Sequence, residues 1–303
     1  MSTNLSADLV PARTAEIVYE TENPVIFTQE GAVAWIKMNR PGFNNAQNSQ
    51  MTYALDDAFT RAVNDDTVRV IVLAGEGKHF SAGHDIGTPG RDVHKTFDRR
   101  LLQADHTNKP AAEMLYTREH EVYLGMCRRW RDAPKPTIAM VQGACIAGGL
   151  MLAWVCDLIV ASDDAFFQDP VGRMGIPGVE YFAHAFELPP RIAKEFLLLG
   201  ERMTAARAYQ YGMVNRIVPR GELVTATAAW ATELASRPRL GNWLIKQAVN
   251  HVEDLRGKRT AMDGVFHMHH FAHAQNDLTS SNSLGGLDAR AMAAANKKGA
   301  GES

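Results

Sequence analysis

The sequence predicts an α/β domain with a helical C-terminal region, on three observations. Short β-branched runs alternate with amphipathic helical stretches from about residue 24 to about residue 200. A strand, a loop and a glycine turn before a helical stretch come twice, in "VIVLAGEGKHFSAGHDI" and "TIAMVQGACIAGGLML". Residues 221 to 275 then read as almost continuous helix, broken only at Pro238 and Gly241.

Each element has its own warrant. Residues 1 to 20 are polar and small and are expected to be flexible. "PVIFTQ" and "AVAWIKM" are strand-like runs separated by the turn signal "EG". Met51, Leu55, Phe59 and Val63 recur every four residues, which predicts an amphipathic helix with Asn48 or Ser49 as its N-cap. "VRVIVLAG" is a β-branched run bounded by turns, the pattern of a buried parallel strand. A helix over roughly 112 to 132, the strand "TIAMVQG", a glycine-led helix near 148 and the strand "DLIVAS" follow. Strands and helices in this order imply right-handed ββα or βα units. Past Pro189 come two helices and a short strand. The division is therefore an α/β core over 21–210, a helical region over 211–295 and a disordered tail at 296–303. Residues 87–112 form a long polar segment, either an active-site cover or a surface insertion.

Composition excludes several classes of function. Thirty-two Lys and Arg against 34 Asp and Glu leave a net charge of -2, so no general nucleic-acid binder is indicated. A hydrophobic share of 46% suffices for a sizeable core, yet no apolar run reaches the ~20 residues of a membrane span. The N-terminus lacks the basic and apolar regions of a secretory signal. Cys127, Cys145 and Cys156 form no CxxC pair and read as buried free thiols. A soluble, cytoplasmic protein is expected, with no membrane or nucleic-acid partner. Walker and GxGxxG motifs are absent.

The two glycine turns carry the chemistry. The amides at a helix start lack intrahelical acceptors, and the dipole places partial positive charge there. Glycine lets a ligand oxygen approach that backbone with no Cβ in the way. Two such turns brought together offer two N–H donors to one oxygen, which suits an enolate or a tetrahedral oxyanion.

"NRPGFNNAQNSQM", "GKHFSAGHDI", "PKPTIAMVQGACIAGGLMLAWVCDLIVASDDAFFQDPVGRMGIPG" and "LLGERMTAARAYQYGMVNRIVP", in this order from about residue 24 to 290, resemble the crotonase (enoyl-CoA hydratase/isomerase) superfamily. The resemblance implies a spiral of ββα repeats with a C-terminal helical trimerisation region, and a homo-trimer or a hexamer built as a dimer of trimers. It also implies acyl-CoA thioesters as substrates, with neither a metal nor a redox cofactor. By that match the N–H groups of His84 and Gly148 hold the thioester carbonyl. The CoA moiety lies against "NNAQN" and "KHFSAGHDI", a segment that includes Lys78, Ala82 and Asp85; Lys78 is the phosphate candidate.

The chain departs from the family pattern at the acid/base positions. Hydratases of the superfamily move protons with two glutamates, in patterns like GGGCELA and FGQPE. Met151 and Val171 stand at those positions here, and neither can transfer a proton. Asp169, Glu180, the His84 side chain and Arg173 are the replacement candidates. Each has a plain structural reading beside it: Asp169 as a turn cap before Pro170, Arg173 as an ion pair, and Glu180 as an early carboxylate in a helix "EYFAHAFEL". Isomerisation, decarboxylation or C–C cleavage needs fewer groups, an acyl-CoA hydrolase is a further alternative, and a non-catalytic acyl-CoA-binding protein needs none. In "HMHHFAHA", His269 and His273 share a helical face without an HExxH glutamate, so a structural role is expected and no metal site. The arginines of "MCRRWRD" end a helix, where cations suit the dipole.

Overall fold

Residues 23–86, 106, 109–285, 291, 292 and 294 are described in a computed structural model. The first two runs form the hairpin β1 (Val25–Glu30) and β2 (Val33–Met38), paired antiparallel through a turn at Gly31. From β2 onward the main sheet is parallel. It runs in the order β1-β2-β3-β4-β6-β9, with β3 at Val70–Gly75, β4 at Thr137–Val141, β6 at Leu158–Ser162 and β9 at Arg216–Val218. The edge strand β9 thus lies beyond the compositional boundary near residue 210.

The central strands are buried on both faces, and their alternation shows why. Ala34, Ile36, Ile71, Leu73, Ala139, Val141, Ile159 and Ala161 enter the larger core. Val33, Trp35, Val70, Val72, Ile138, Met140 and Val160 point the other way, against Leu223, Trp230, Ala231 and Leu234 of α8 (Leu223–Ser236). A strand that must satisfy two cores reads as an unbroken apolar run.

On the larger core lies α1 (Ser49–Asn64), capped by Asn48, whose side chain accepts from the Met51 N–H. Phe59 stacks on Trp130 at 5.1 Å between ring centroids. The expected helix at 112–132 is α2 (Ala111–Glu119) and α3 (Met126–Arg131), joined by a wide π-helical turn at His120–Gly125. Its arginines make specific pairs besides ending a helix: Arg128 with Asp263, Arg129 with Asp56, and Arg131 with Glu253 and Asp254.

A second sheet, absent from the sequence reading, joins β5 (Ala144–Ile146), β7 (Phe166–Gln168) and β8 (Met203–Thr204). Beside it lie α4 (Gly148–Trp154), α5 (His184–Glu187), α6 (Pro190–Leu199) and α7 (Ala205–Gln210). The C-terminal helices are α8, α9 (Arg239–Leu255) and α10 (Lys258–Ser280). Gly257, at φ +93, makes a second break that the sequence reading missed. Leu240, Leu244, Ile245, Val249 and Leu255 of α9 are exposed, as are Met268, Phe271 and Leu278 of α10. No helix among the described residues is long and apolar enough to cross a membrane. The flexible segment at 1–20, the tail at 296–303 and most of 87–112 fall outside the described residues.

Candidate active site

The site begins at the loop before α1. Asn44 and Asn45 take left-handed backbone at φ +51 and +53, which asparagine tolerates better than most residues. From there the Asn45 side chain accepts from the Arg40 N–H and donates to the carbonyls of Glu76, His79 and Phe80. It thereby fixes the loop after β3. Gln47 brackets the first glycine turn: its N–H donates to Gly83 O at 2.7 Å, and its carbonyl accepts from the Asp85 N–H at 3.0 Å. Arg40 and Asp85, both buried, close this corner with an ion pair at 3.0 Å.

The second turn packs directly on the first. Ser81 donates its N–H to Ala144 O and accepts at its carbonyl from the Ile146 N–H. A Cβ added at Gly83 would lie 2.7 Å from Ile146 O and 3.0 Å from the Gly148 nitrogen. One added at Gly149 would lie 2.6 Å from Ser81 O. Only bare backbone permits this approach. Between them Ala147 is held at φ +47, ψ -115, a costly conformation for a residue with a Cβ. It aims the chain so that α4 starts at Gly148.

Over this junction lies the His84 imidazole. It stacks on Tyr123 with ring centroids 3.8 Å apart, and its edge occupies the space a Cβ on Gly148 would fill. Its Nδ1 is 3.6 Å from Oε1 of Glu180. Glu180 is 2% exposed, and its Oε2 has no hydrogen-bond partner among the described residues. Burial, with the carboxylates of Glu119 and Asp169 nearby, pushes its carboxyl well above the ordinary value, against its own backbone N–H and Arg118. Burial likewise pushes the Tyr123 phenol up to about 12, so it stays neutral. Tyr123 and Glu119 belong to the helical run around the π-turn. They carry no sequence signal beyond that position, although π-turns recur at functional sites.

The structure thus brings His84, Gly148 and Glu180 together, with Asp169 near enough for its charge to act on the Glu180 carboxyl. Glu180 precedes α5, which starts only at His184, so its reading as a helix-opening carboxylate is overturned. Asp169 fits its plain reading: it caps the turn at Pro170–Met174 and accepts from the N–H groups of Val171 and Val179. It also faces His184 Nε2 at 2.7 Å, with both side chains fully buried. Arg173 donates to Gly200 O at 3.0 Å. Met151 and Val171 sit in the larger core. Lys78 is exposed, and Ala82 donates its N–H to Asn44 O.

A model of the family described as Enoyl-CoA hydratase/isomerase matches residues 28–285. The chain is 41% identical over 273 residues to a putative enoyl-CoA hydratase, EchA13, of Mycobacterium tuberculosis, covering 87% of this chain and 82% of that protein. It is 31% identical to the 1,2-epoxyphenylacetyl-CoA isomerase of Escherichia coli, covering 74% and 80% of the two chains. The crystal structure of a probable enoyl-CoA hydratase from Mycobacterium smegmatis superimposes with a TM-score of 0.76 at 42% identity, over 86% of this chain and 98% of that one.

Proposed function

The chain belongs to the enoyl-CoA hydratase/isomerase family, and from that premise we propose that it holds an acyl-CoA thioester carbonyl between the N–H groups of His84 and Gly148 and moves a proton with Glu180. The reaction passes through a thioester enolate, whose oxygen gains charge as the α-proton leaves. Two preorganised N–H donors stabilise that charge, each by about 3–4 kcal/mol at comparable sites. The observation that carries the reading is the packing of the two glycine turns, with the Glu180 carboxyl 3.6 Å from the ring on the first of them.

One acid/base carboxyl suits isomerisation better than hydration. Adding water across a double bond needs one group to orient the water and another to deliver the proton, and Met151 and Val171 remove both family carboxylates. Moving a double bond needs a single group that takes a proton from one carbon and returns it to another. An acyl-CoA hydrolase or C–C lyase would use the same enolate or oxyanion site, and a non-catalytic acyl-CoA binder would use the turns alone.

The test is exchange of the α-protons of an acyl-CoA with deuterated water, followed by NMR, beside the loss of enoyl absorbance from crotonyl-CoA. We expect exchange in the wild type and a loss of about 100-fold or more in Glu180→Gln, the usual scale of a positioned acid/base group. Calorimetry should show acyl-CoA still bound by the variant. Crotonyl-CoA hydration as fast as in two-glutamate hydratases would sink the single-carboxyl reading. Binding without exchange would leave the non-catalytic binder standing.

We further place the exposed apolar residues of α9 and α10 at contacts between subunits of a homo-trimer, or of a hexamer of two such trimers. Apolar residues clustered on consecutive helices mark interaction surfaces. Three cysteines without a disulfide fit a reducing cytoplasm. The chemistry needs no metal or redox group.

A further inference from the structure

Beyond Glu180, a second group of buried side chains gathers where α10 meets the π-turn. His269 and His273, one turn apart on α10, are 4% and 6% exposed. Nδ1 of His269 lies 2.8 Å from the Gly178 carbonyl oxygen, and Nδ1 of His273 lies 2.7 Å from that of Ser283. A carbonyl only accepts, so both Nδ1 atoms carry the proton and each neutral ring presents a lone pair at Nε2. Those two Nε2 atoms are 2.9 Å apart. Glu119 Oε2 stands 3.7 Å from the His269 Nε2, and one ligand atom from each of Glu119, His269 and His273 lies within 4.8 Å of the others.

Three electron-rich atoms therefore converge on one buried point. A proton shared between the rings would join the two Nε2 atoms, whereas a cation there would draw on the Glu119 carboxylate as well, which stands 3.7 Å from one of them. We propose that His269, His273 and Glu119 bind a divalent transition-metal ion of the zinc class. Two imidazoles and one carboxylate are donors such ions take, and three protein ligands leave a coordination position open. Backbone carbonyls holding each Nδ1–H are the outer contacts that orient metal-bound histidines.

The site adjoins the thioester turns without belonging to them. Glu180 Oε1 is 3.7 Å from His269 Nε2 and 3.6 Å from His84 Nδ1, so one carboxyl separates the ion from the first glycine turn. His270 places its Nε2 3.4 Å from Glu119 Oε2, a third imidazole on the same carboxylate. The i, i+4 histidine spacing alone implies none of this. The carbonyl tethers, which fix where each lone pair points, carry it. The proposal does not rest on the chemistry assigned to Glu180.

The test begins with metal analysis of full-length protein purified without chelators, followed by titration of chelator-stripped protein with Co²⁺, read by visible absorption. The expected result is bound zinc in the purified protein and a cobalt spectrum typical of nitrogen and oxygen ligands. His273→Ala and Glu119→Gln should each weaken Co²⁺ by at least ~100-fold, the upper end of what losing an outer contact costs. His251→Ala, at an exposed position on α9, should change nothing. Should a ligand variant fail to fold, the wild type still decides, because Zn²⁺ must raise its thermal midpoint in a concentration-dependent way. Absence of zinc, of a cobalt spectrum and of any thermal shift overturns the proposal, as does equal affinity in the wild type and both ligand variants.

Discussion

Gly148→Ala is the sharpest probe of the two-turn junction, because its steric cost can be read from the structure. The new Cβ would lie 2.5 Å from Cδ2 and 2.6 Å from Nε2 of His84, and 3.2 Å from Nε2 of Gln47. Carbon atoms pack at about 3.5 Å, so the imidazole must retreat by ~1 Å. Tyr123 stacks on that ring at 3.8 Å, so the retreat strains or breaks the stack. Overpacking of this kind costs about 1–3 kcal/mol. Replacing a helix glycine by alanine returns about 1 kcal/mol. Net destabilisation is thus ~0–2 kcal/mol, too little to unfold a domain of this size. Turnover should suffer more, since a ~1 Å misplacement at a reacting centre costs about 100-fold. That factor corresponds to ~2.7 kcal/mol in the barrier. Thermal melting and α-proton exchange on the same preparation separate the two effects. His84→Ala supplies the control, because removing the ring removes the clash: the double variant should recover the stability that Gly148→Ala loses. Strictly additive stabilities, or full turnover in Gly148→Ala, would refute the packing argument.

Other expectations follow from the same contacts. Asp85→Ala strips one partner from the buried Arg40 pair and should cost about 3–5 kcal/mol in urea unfolding, the range for an orphaned buried charge. Ile245→Glu combined with Val249→Glu, on the exposed face of α9, should shift the proposed oligomer to smaller species in analytical ultracentrifugation while circular dichroism stays unchanged. Partial burial raises the carboxyls of Glu253 and Asp254, but hydrogen bonds and charge from Arg131, Lys258 and Arg259 outweigh it and hold both below their ordinary values of 4.5 and 3.8. A depressed folded-state value stabilises above the unfolded one and is lost as pH falls through it. Melting of the wild type should therefore fall more steeply than that of Glu253→Gln as pH drops below about 4.5; parallel curves would dismiss the contribution.

What the sequence disclosed follows the range of the interactions involved. The Asn48 cap, the four-residue spacing from Met51 to Phe59 and the start of α4 at Gly148 are local matters, and the structure has all three where expected. The strands β5, β7 and β8 span three residues or fewer, too short for any period to register. Glu180 was a candidate from its neighbourhood in sequence, but its surroundings come from His84 on one side and His269 on the other, which only the fold assembles. The Asp169 cap is local and readable from "DPV", while the partner of its carboxylate, His184, lies on α5 and is not. Tyr123 is not legible in the sequence because a π-turn shifts side chains off the ordinary helical face, and nothing in "HEVYLG" announces that turn.

The double-sided burial of the main sheet bears on how this protein can be divided. A change of composition near residue 210 invites a cut between a catalytic core and a helical appendage. Yet α8 covers β2, β3, β4 and β6 on one face of the sheet, and β9 forms its last strand. A chain ended at that seam would lay bare Val33, Trp35, Val70, Val72, Ile138 and Val160 to water and leave β6 as an edge strand, paired with β4 alone. The C-terminal segment therefore belongs to the core's own architecture before it serves any contact between subunits, and on a ribosome the sheet must wait for α8 to emerge before its outer face can close.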